Sequence, residues 1–381
     1  MFPLFLGLSG LCPSAPDPGA PVFQRTDLFI SGQDGVNIYR IPSLLVAPSG
    51  AILAFCEARE GDDGDPTDLV LKRSLFEDPP RPTRMLNGYP RTFGYGVTWE
   101  PMRHVLRGEG DAIMNPTPVV DRDTGTILLP CYKALGGLQR HLQHPFEGPL
   151  LLLTSTDEGL TWSPPRDLKP EVGDFIGGPG VGIQLQSGRL LIPGYGPDAA
   201  GTTFSRVVYS DDHGLTWHAG APIKAPTDES QAVELTPGTV MLNARCNAGH
   251  GCRYVAISHD QGETWSTEGD EPALPEPCCQ ASLIAGEVTG GAGARRVLLF
   301  SNPATPGPWN DRTKLTVRVS EDLGKSWPVS RLLDPGPAAY SCLALLRDGT
   351  VGLLYETGEV HPYERIAFAR FSMDWLTAAP Q

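Results

Sequence analysis

An eight-residue string returns four times in this chain: STDEGLTW at 155–162, SDDHGLTW at 210–217, SHDQGETW at 258–265 and SEDLGKSW at 320–327. Successive copies start 55, 48 and 62 residues apart (155, 210, 258, 320). Irregular self-similarity near 50 residues points to one supersecondary unit per copy, each stacked on its neighbours. The chemistry of the string is that of a turn. Ser and Asp side chains bond nearby backbone amides, and Gly supplies a positive φ. Thr and Trp then start the next strand, with Trp suited to packing between units. The string is therefore a structural hairpin, not a catalytic or metal site. A degenerate fifth copy starts at Ser74 and ends at Thr98-Trp99, split by an insertion over residues 75–97 rich in Pro and Arg.

A second repeat is independent of the first. Short apolar strands follow a turn glycine in SGAILAF, TGTILLP, SGRLLIP, PGTVMLN and DGTVGLL, with a looser sixth in RRVLLF. The glycines are Gly50, Gly125, Gly188, Gly238, Gly293 and Gly349. Each reads as a hairpin between two half-buried strands. No long 3.6-residue period marks a helix. The expectation is an all-β fold, a six-bladed β-propeller of four-stranded antiparallel sheets, built from residues 22–381. Residues 1–21 read as a Pro-rich N-terminal tail or the remnant of a signal segment. The first twelve residues are apolar but lack a basic region, and no stretch approaches the ~20 apolar residues of a membrane span.

The formal net charge of -14 argues against nucleic acid as a partner, since phosphate binding needs surplus Lys and Arg. An anion site must then be built from specific local arginines. Eight cysteines in 381 residues are no disulfide scaffold. No C-x-x-C pair occurs, so no metal site is expected. Cys246 and Cys252 either close a short loop or stand as free thiols.

Polar residues at the ends of apolar strands mark where loops converge on a central mouth. They are Arg59 in AFCEAR, Tyr195 in LIPGY, Arg245 in MLNAR and Glu356 in GLLYE. Arg40 lies between apolar residues in NIYRIP. Any one of these arginines alone would be a surface or salt-bridge residue. Several aimed at one axis make a cluster for a carboxylate or phosphate.

YRIP at 39–42, the S-x-D-x-G-x-T-W strings and GPGVGIQLQSGRLLIPGY at 178–195 together resemble the exo-sialidase (neuraminidase) family, from about residue 27 to residue 375. The resemblance implies an arginine triad for the sialic acid carboxylate: Arg40, Arg245 and Arg312, with Arg318 the weaker choice for the third. Glu356 matches the acid that steadies the first arginine. Tyr340, in PAAYSC, matches the nucleophile, and Glu229, in TDES, its partner acid, with Glu234 as the second choice. A phenol suits this reaction because the anomeric carbon carries a carboxylate that repels an anionic nucleophile; its pKa near 10 demands a base. Asp63, in REGDDGDPTD, matches the acid/base, with Asp62 and Asp65 as close neighbours. Crowded carboxylates there would raise one another's pKa. Arg59, Met114 and Asn115 (with Ile113 beside them), Tyr195 and Gln280 match contacts to the ring substituents, N-acyl group and glycerol tail. Two departures stand out. The insertion at 75–97 is expected to rim the pocket, and the Cys278–Cys279 pair is expected to lie away from the catalytic set.

The activity so implied is hydrolysis of terminal α-linked sialic acids with retention, on oligosaccharides, glycoproteins or glycolipids. The resemblance implies no metal and no organic cofactor. A monomer is the expected state. A place outside the cytoplasm is favoured, although animal relatives include cytosolic enzymes. The alternatives are a trans-sialidase, an enzyme preferring the deaminated sugar, and a non-catalytic glycan-binding propeller.

Overall fold

Strands such as ILAFCEAR (Ile52–Arg59) and VGLLYET (Val351–Thr357) are buried at every position, so both faces of each are covered. This departs from the half-buried strands expected. The sheets are stacked face to face, and each apolar face meets a neighbouring unit. A strand covered on both sides reads as a continuous apolar run. The protein, described here from a computed structural model that covers residues 22–75, 84–86, 89–91, 95–290 and 293–378, is all-β with antiparallel sheets and three short helices among those residues. The expected tail over residues 1–21 lies outside the described residues.

Hydrogen bonding links the strands into sheets of seven, nine, five and four strands, plus the hairpin Arg84–Leu86 with Tyr89–Arg91. The sheets exceed the expected four strands because neighbouring units share backbone. Val329–Leu345 runs for 17 residues and pairs with Thr313–Ser320 along its first half and with Val351–Thr357 along its second. Pairing of Thr67 with Ala112 joins two further runs. The N-terminal strand Phe23–Ile30 pairs with Arg365–Phe371 and completes the sheet formed by the C-terminal strands. Gly50, Gly125, Gly188, Gly238 and Gly349 all take positive φ at their hairpins. The tip of the sixth hairpin falls at residues 291–292, outside the described residues.

In the 155–162 string, Ser155 donates to Asp157 Oδ1 (2.8 Å) and accepts from Gly159 N (2.8 Å). Asp157 also accepts from Thr161 N (2.9 Å) and Thr161 Oγ1 (2.6 Å). The other three copies repeat this scheme. The split fifth copy survives its insertion. Gly96 N donates to Ser74 Oγ (3.0 Å), and Trp99 Nε1 donates to Gly96 O, as Trp217 Nε1 does to Gly214 O. Yet the insertion does not start as a rim over the pocket. Ser74 pairs with Ile52, and Tyr95 donates to Gly50 O, at the end of the sheet opposite Arg59. Eight strand residues separate the two ends by about 23 Å.

Candidate active site

Three strands carrying the predicted residues are interrupted by bulges at those residues. The register slips between Arg40 and Ser43, between Thr227 and Ser230, and between Ala338 and Ser341. A bulge turns a side chain out of the alternating pattern, and here it re-aims Arg40, Asp228, Glu229 and Tyr340. Ile41 sits at φ 60°, which costs a β-branched residue of order 1–3 kcal/mol. The surroundings hold it there. One buried carboxylate, Glu356, accepts from Arg40 Nε (2.7 Å), Ile41 N (2.8 Å) and Tyr340 N (3.1 Å). Glu356 thus fixes the first arginine and the tyrosine together.

Tyr340 OH donates to Glu229 Oε1 across 2.5 Å. Arg245 Nη1 lies 3.2 Å from Tyr340 OH and 2.7 Å from Glu229 Oε2. Arg245 is gripped in turn by Asp228, through Nε to Oδ1 (2.6 Å) and through Nη2 to Oδ2. Arg312 donates to Tyr363 OH (3.1 Å) and Cys278 O (2.9 Å), while its buried Nε has no hydrogen-bond partner among the described residues. The guanidiniums of Arg40 and Arg312 lie 5.2 and 5.5 Å from the Tyr340 ring. The three predicted arginines therefore surround one phenol. Burial pushes the Tyr340 hydroxyl well above its ordinary pKa, and the adjacent Glu229 charge adds to the rise; Arg245 and Arg312 oppose it. Burial also raises Glu229, against the pull of Arg245.

Asp63 lies on the loop after Ile52–Arg59 and hydrogen-bonds Arg59 Nη1, with Arg40 Nη1 3.8 Å away. Its side chain stays 63% exposed. Burial alone would raise its pKa, but Arg59 and Arg40 outweigh that and hold the carboxyl below its usual range. The expected elevation by neighbouring carboxylates is not found, because cations and not Asp62 or Asp65 face Asp63. Those two bond each other's turn, Asp62 N to Asp65 Oδ2 at 2.8 Å. Arg59 is anchored on the buried Glu57, Nε to Oε2 at 2.7 Å.

Met114, Phe146 and Tyr195 are partly buried and pack on one apolar cluster, with the Phe146 and Tyr195 rings 6.0 Å apart. Asn115 is turned inward. Its backbone N donates to Glu57 Oε1 (2.7 Å), and its Nδ2 donates to Gly177 O (2.8 Å). Gln280 is fully engaged with backbone, donating to Pro179 O and Ser341 O and accepting from Ser341 N. It braces the Tyr340 strand. Glu234 bonds Gln186 N and Gly238 N at the far end of its strand, and Arg318 bonds Asn302; neither joins the cluster. The cysteine pair does touch the set: Cys278 O accepts from Arg312, and Cys279 packs with Tyr340.

The sequence reading missed Asp228, Glu57 and Tyr363. Asp228 stood beside Glu229 in the same TDES string, so the signal was present. Glu57 sits two residues before Arg59, the alternation that puts both side chains on one strand face. Tyr363 comes from a loop that bears no motif. Its ring lies 3.6 Å from the Arg40 guanidinium carbon. His141, on the helix Gly137–Gln143, was missed too. Burial lowers its pKa and Asp63 opposes that shift, and the ring lies 6.4 Å from that of Tyr132.

Repeated antiparallel units, a first strand paired with the last, and arginines gathered on a buried Tyr–Glu pair are the features of a protein of the BNR-repeat class. Residues 50–353 match the BNR repeat-like domain family. A sialidase of Micromonospora viridifaciens is 37% identical over 95% of this chain and 55% of its own length. Sialidase-3 of Bos taurus is 31% identical over 93% of this chain and 92% of its own. Among solved structures, the Hadza microbial sialidase Hz136 superposes with a TM-score of 0.78 at 30% identity, over 92% of this chain and 69% of that one. The chain belongs to the sialidase family. It spans little more than half the length of the Micromonospora relative.

Proposed function

We propose that this protein is an exo-sialidase that releases terminal α-linked sialic acids with retention, on a propeller of six four-stranded blades. The observation that carries the reading is the Tyr340–Glu229 contact, 2.5 Å long and enclosed by Arg40, Arg245 and Arg312. The arginines bind the substrate carboxylate. That anion competes with Asp63 for Arg40 and adds a negative charge nearby, and both effects raise the Asp63 pKa toward that of a proton donor. Asp63 then protonates the departing glycosidic oxygen. Tyr340 gives its proton to Glu229 and its oxygen bonds the anomeric carbon as the glycosidic bond breaks. In the second half Asp63 takes a proton from water, whose oxygen displaces Tyr340; the phenolate recovers its proton from Glu229. Arg245 stabilises the charge that develops on both partners of the pair. Met114, Phe146 and Tyr195 form an apolar wall suited to the N-acyl group. The substrates are sialylated oligosaccharides, glycoproteins or glycolipids.

The test is release of sialic acid from a fluorogenic α-sialoside, with proton NMR of the first-formed anomer. Native protein should release the α-anomer, and Tyr340→Phe should lose several orders of magnitude in kcat. Full turnover by the variant would remove Tyr340 from its role. No turnover by native protein between pH 4 and 8 would leave a glycan-binding propeller as the reading.

A further inference from the structure

The hairpin that follows Arg245 gathers side chains that the catalytic set does not use. Cys246 ends the strand Thr239–Cys246 and is buried, and Cys252 starts the returning strand Cys252–Ser258. Between them Gly249 and Gly251 both take positive φ, and His250 stands between the two. His250 Nδ1 lies 2.9 Å from Asp270 Oδ1, with the two side chains 46% and 41% exposed. One donor atom from each of Cys246, His250 and Asp270 lies within 4.8 Å of the others. A thiol, an imidazole and a carboxylate so placed are a borderline-soft set, and that combination suits zinc above calcium or magnesium.

We infer that Cys246, His250 and Asp270 bind a zinc ion in the hairpin loop beside Arg245. Zinc bonds of about 2.3 Å to sulfur and about 2.0–2.1 Å to nitrogen or oxygen put tetrahedral donors about 3.3–3.7 Å apart. His250 and Asp270, now 2.9 Å apart, need to open by roughly 0.5 Å and the wider pairs, within 4.8 Å, to close by at most about 1.5 Å, which rotation of the half-exposed His250 and Asp270 supplies. Cys246 provides the buried anchor, and the two exposed ligands leave a path for the ion from solvent. Glu276 Oε1 accepts from Cys246 N at 2.8 Å and holds the backbone of the anchor in place. The fourth position remains for water. The absence of a C-x-x-C pair hid this set, because the third ligand comes from the neighbouring strand Thr267–Pro275. Binding takes a proton from the Cys246 thiol, so affinity should fall as pH falls.

The competing arrangement is a Cys246–Cys252 crosslink, since continuing the register of Ala244 with Tyr254 sets these cysteines opposite each other. The experiment is therefore run on the reduced full-length protein and on Cys252→Ser, which cannot form that bond. Zinc content is read by mass spectrometry after dialysis, and cobalt(II) is titrated as an optical probe. The expected result is one equivalent of zinc in both proteins and a thiolate-to-cobalt charge-transfer band. His250→Ala and Asp270→Asn, both at exposed positions, should each weaken metal binding at least tenfold with an unchanged unfolding midpoint in chelator. Zinc retained equally by those two variants would mark adventitious binding and overturn the site. So would a Cys246–Cys252 disulfide in the native protein with no metal taken up after reduction. None of these readouts requires turnover, so the metal site and the glycosidase reading stand or fall separately.

Discussion

Tyr363 shows how a side chain outside every motif can set the geometry of the site. Its ring faces Arg40 and its hydroxyl accepts from Arg312, so one residue spaces two cations that would otherwise repel. Tyr363→Phe keeps the ring and removes the bond to Arg312. A hydrogen bond to a charged group contributes about 1.5–3 kcal/mol. Steady-state kinetics should show KM raised roughly tenfold or more with kcat within a few-fold of native; a fall in kcat alone would contradict the positioning role. Asp63 supports a second prediction. Asp63→Asn removes the proposed proton donor, so release from a natural sialyl-galactoside should drop by about 10²–10⁴. A substrate whose leaving group needs no protonation should lose far less. Equal losses on both would place Asp63 in binding, not in proton transfer.

The repeated octapeptide acts at the level of the element, and its variable fourth residue turns out to be the informative one. Glu158 binds Ser49 N (2.8 Å) and Ser49 Oγ (2.6 Å), His213 Nδ1 lies 2.9 Å from Asp121 Oδ2, and Gln261 accepts from Ser187 Oγ (2.5 Å). Each contact reaches the hairpin turn of the preceding unit. In the fourth copy Leu323 makes an apolar contact instead, in the cluster with Met241 and Trp327. These fourth residues sit at φ 57–63°, next to the positive-φ glycine. Sequence reading assigned that conformation to the glycine alone, since pairing between units is invisible in a motif that is compared only with itself. Asp212→Ala would remove the acceptor for Ser210 Oγ, Thr216 N and Thr216 Oγ1 and should cost about 1–2 kcal/mol. Denaturant titration checks this; an unchanged midpoint would make the string ornamental. Hydrogen bonds to Thr161 hold Asp157 down to about 2, and Asp212 is also held to about 2 because its bonds to Thr216 outweigh burial. A depressed carboxylate contributes stability above its unfolded pKa, near 3.9, and loses it as pH falls through the folded value. Acid unfolding should therefore steepen between about pH 4 and pH 2, and Asp212→Asn should flatten that limb.

For the whole molecule, the all-β class and the turn-per-unit plan were legible because both rest on local chemistry: turn glycines, Ser–Asp turns and apolar runs. Glu229, Tyr340 and the arginines were legible through resemblance, and the structure brings them together. Asp228 and Glu57 were passed over although each stands in a string already read, beside Glu229 and two residues before Arg59; Tyr363 was not legible, since it comes from a loop without a motif and meets Arg40 from a distant part of the chain. The Asp63 pKa was expected to be raised because the loop's own acids were taken as its neighbours; the fold turns it instead toward Arg59 and Arg40, which lower it. Closure is the other global property. Phe23–Ile30 is the outer strand of the sheet completed by Arg365–Phe371. Removing residues up to Ile30 would expose that strand's edge, and an unpaired edge invites association. Light scattering and thermal unfolding of such a truncation should show aggregation and a lower midpoint; an intact monomer of native stability would refute the role of closure.

That closure also sets a clock on the ribosome. Ile30 and Arg365 are 335 residues apart (365 minus 30), and the first strand has no partner until the other is made. At about 5–20 residues per second the wait is roughly 20–70 s. Throughout it Arg40, ten residues beyond Ile30, lacks Glu356, which is translated late in the same interval. The arginine cluster around Tyr340 can therefore assemble only near the end of synthesis, so whatever chemistry it performs belongs to the finished chain alone.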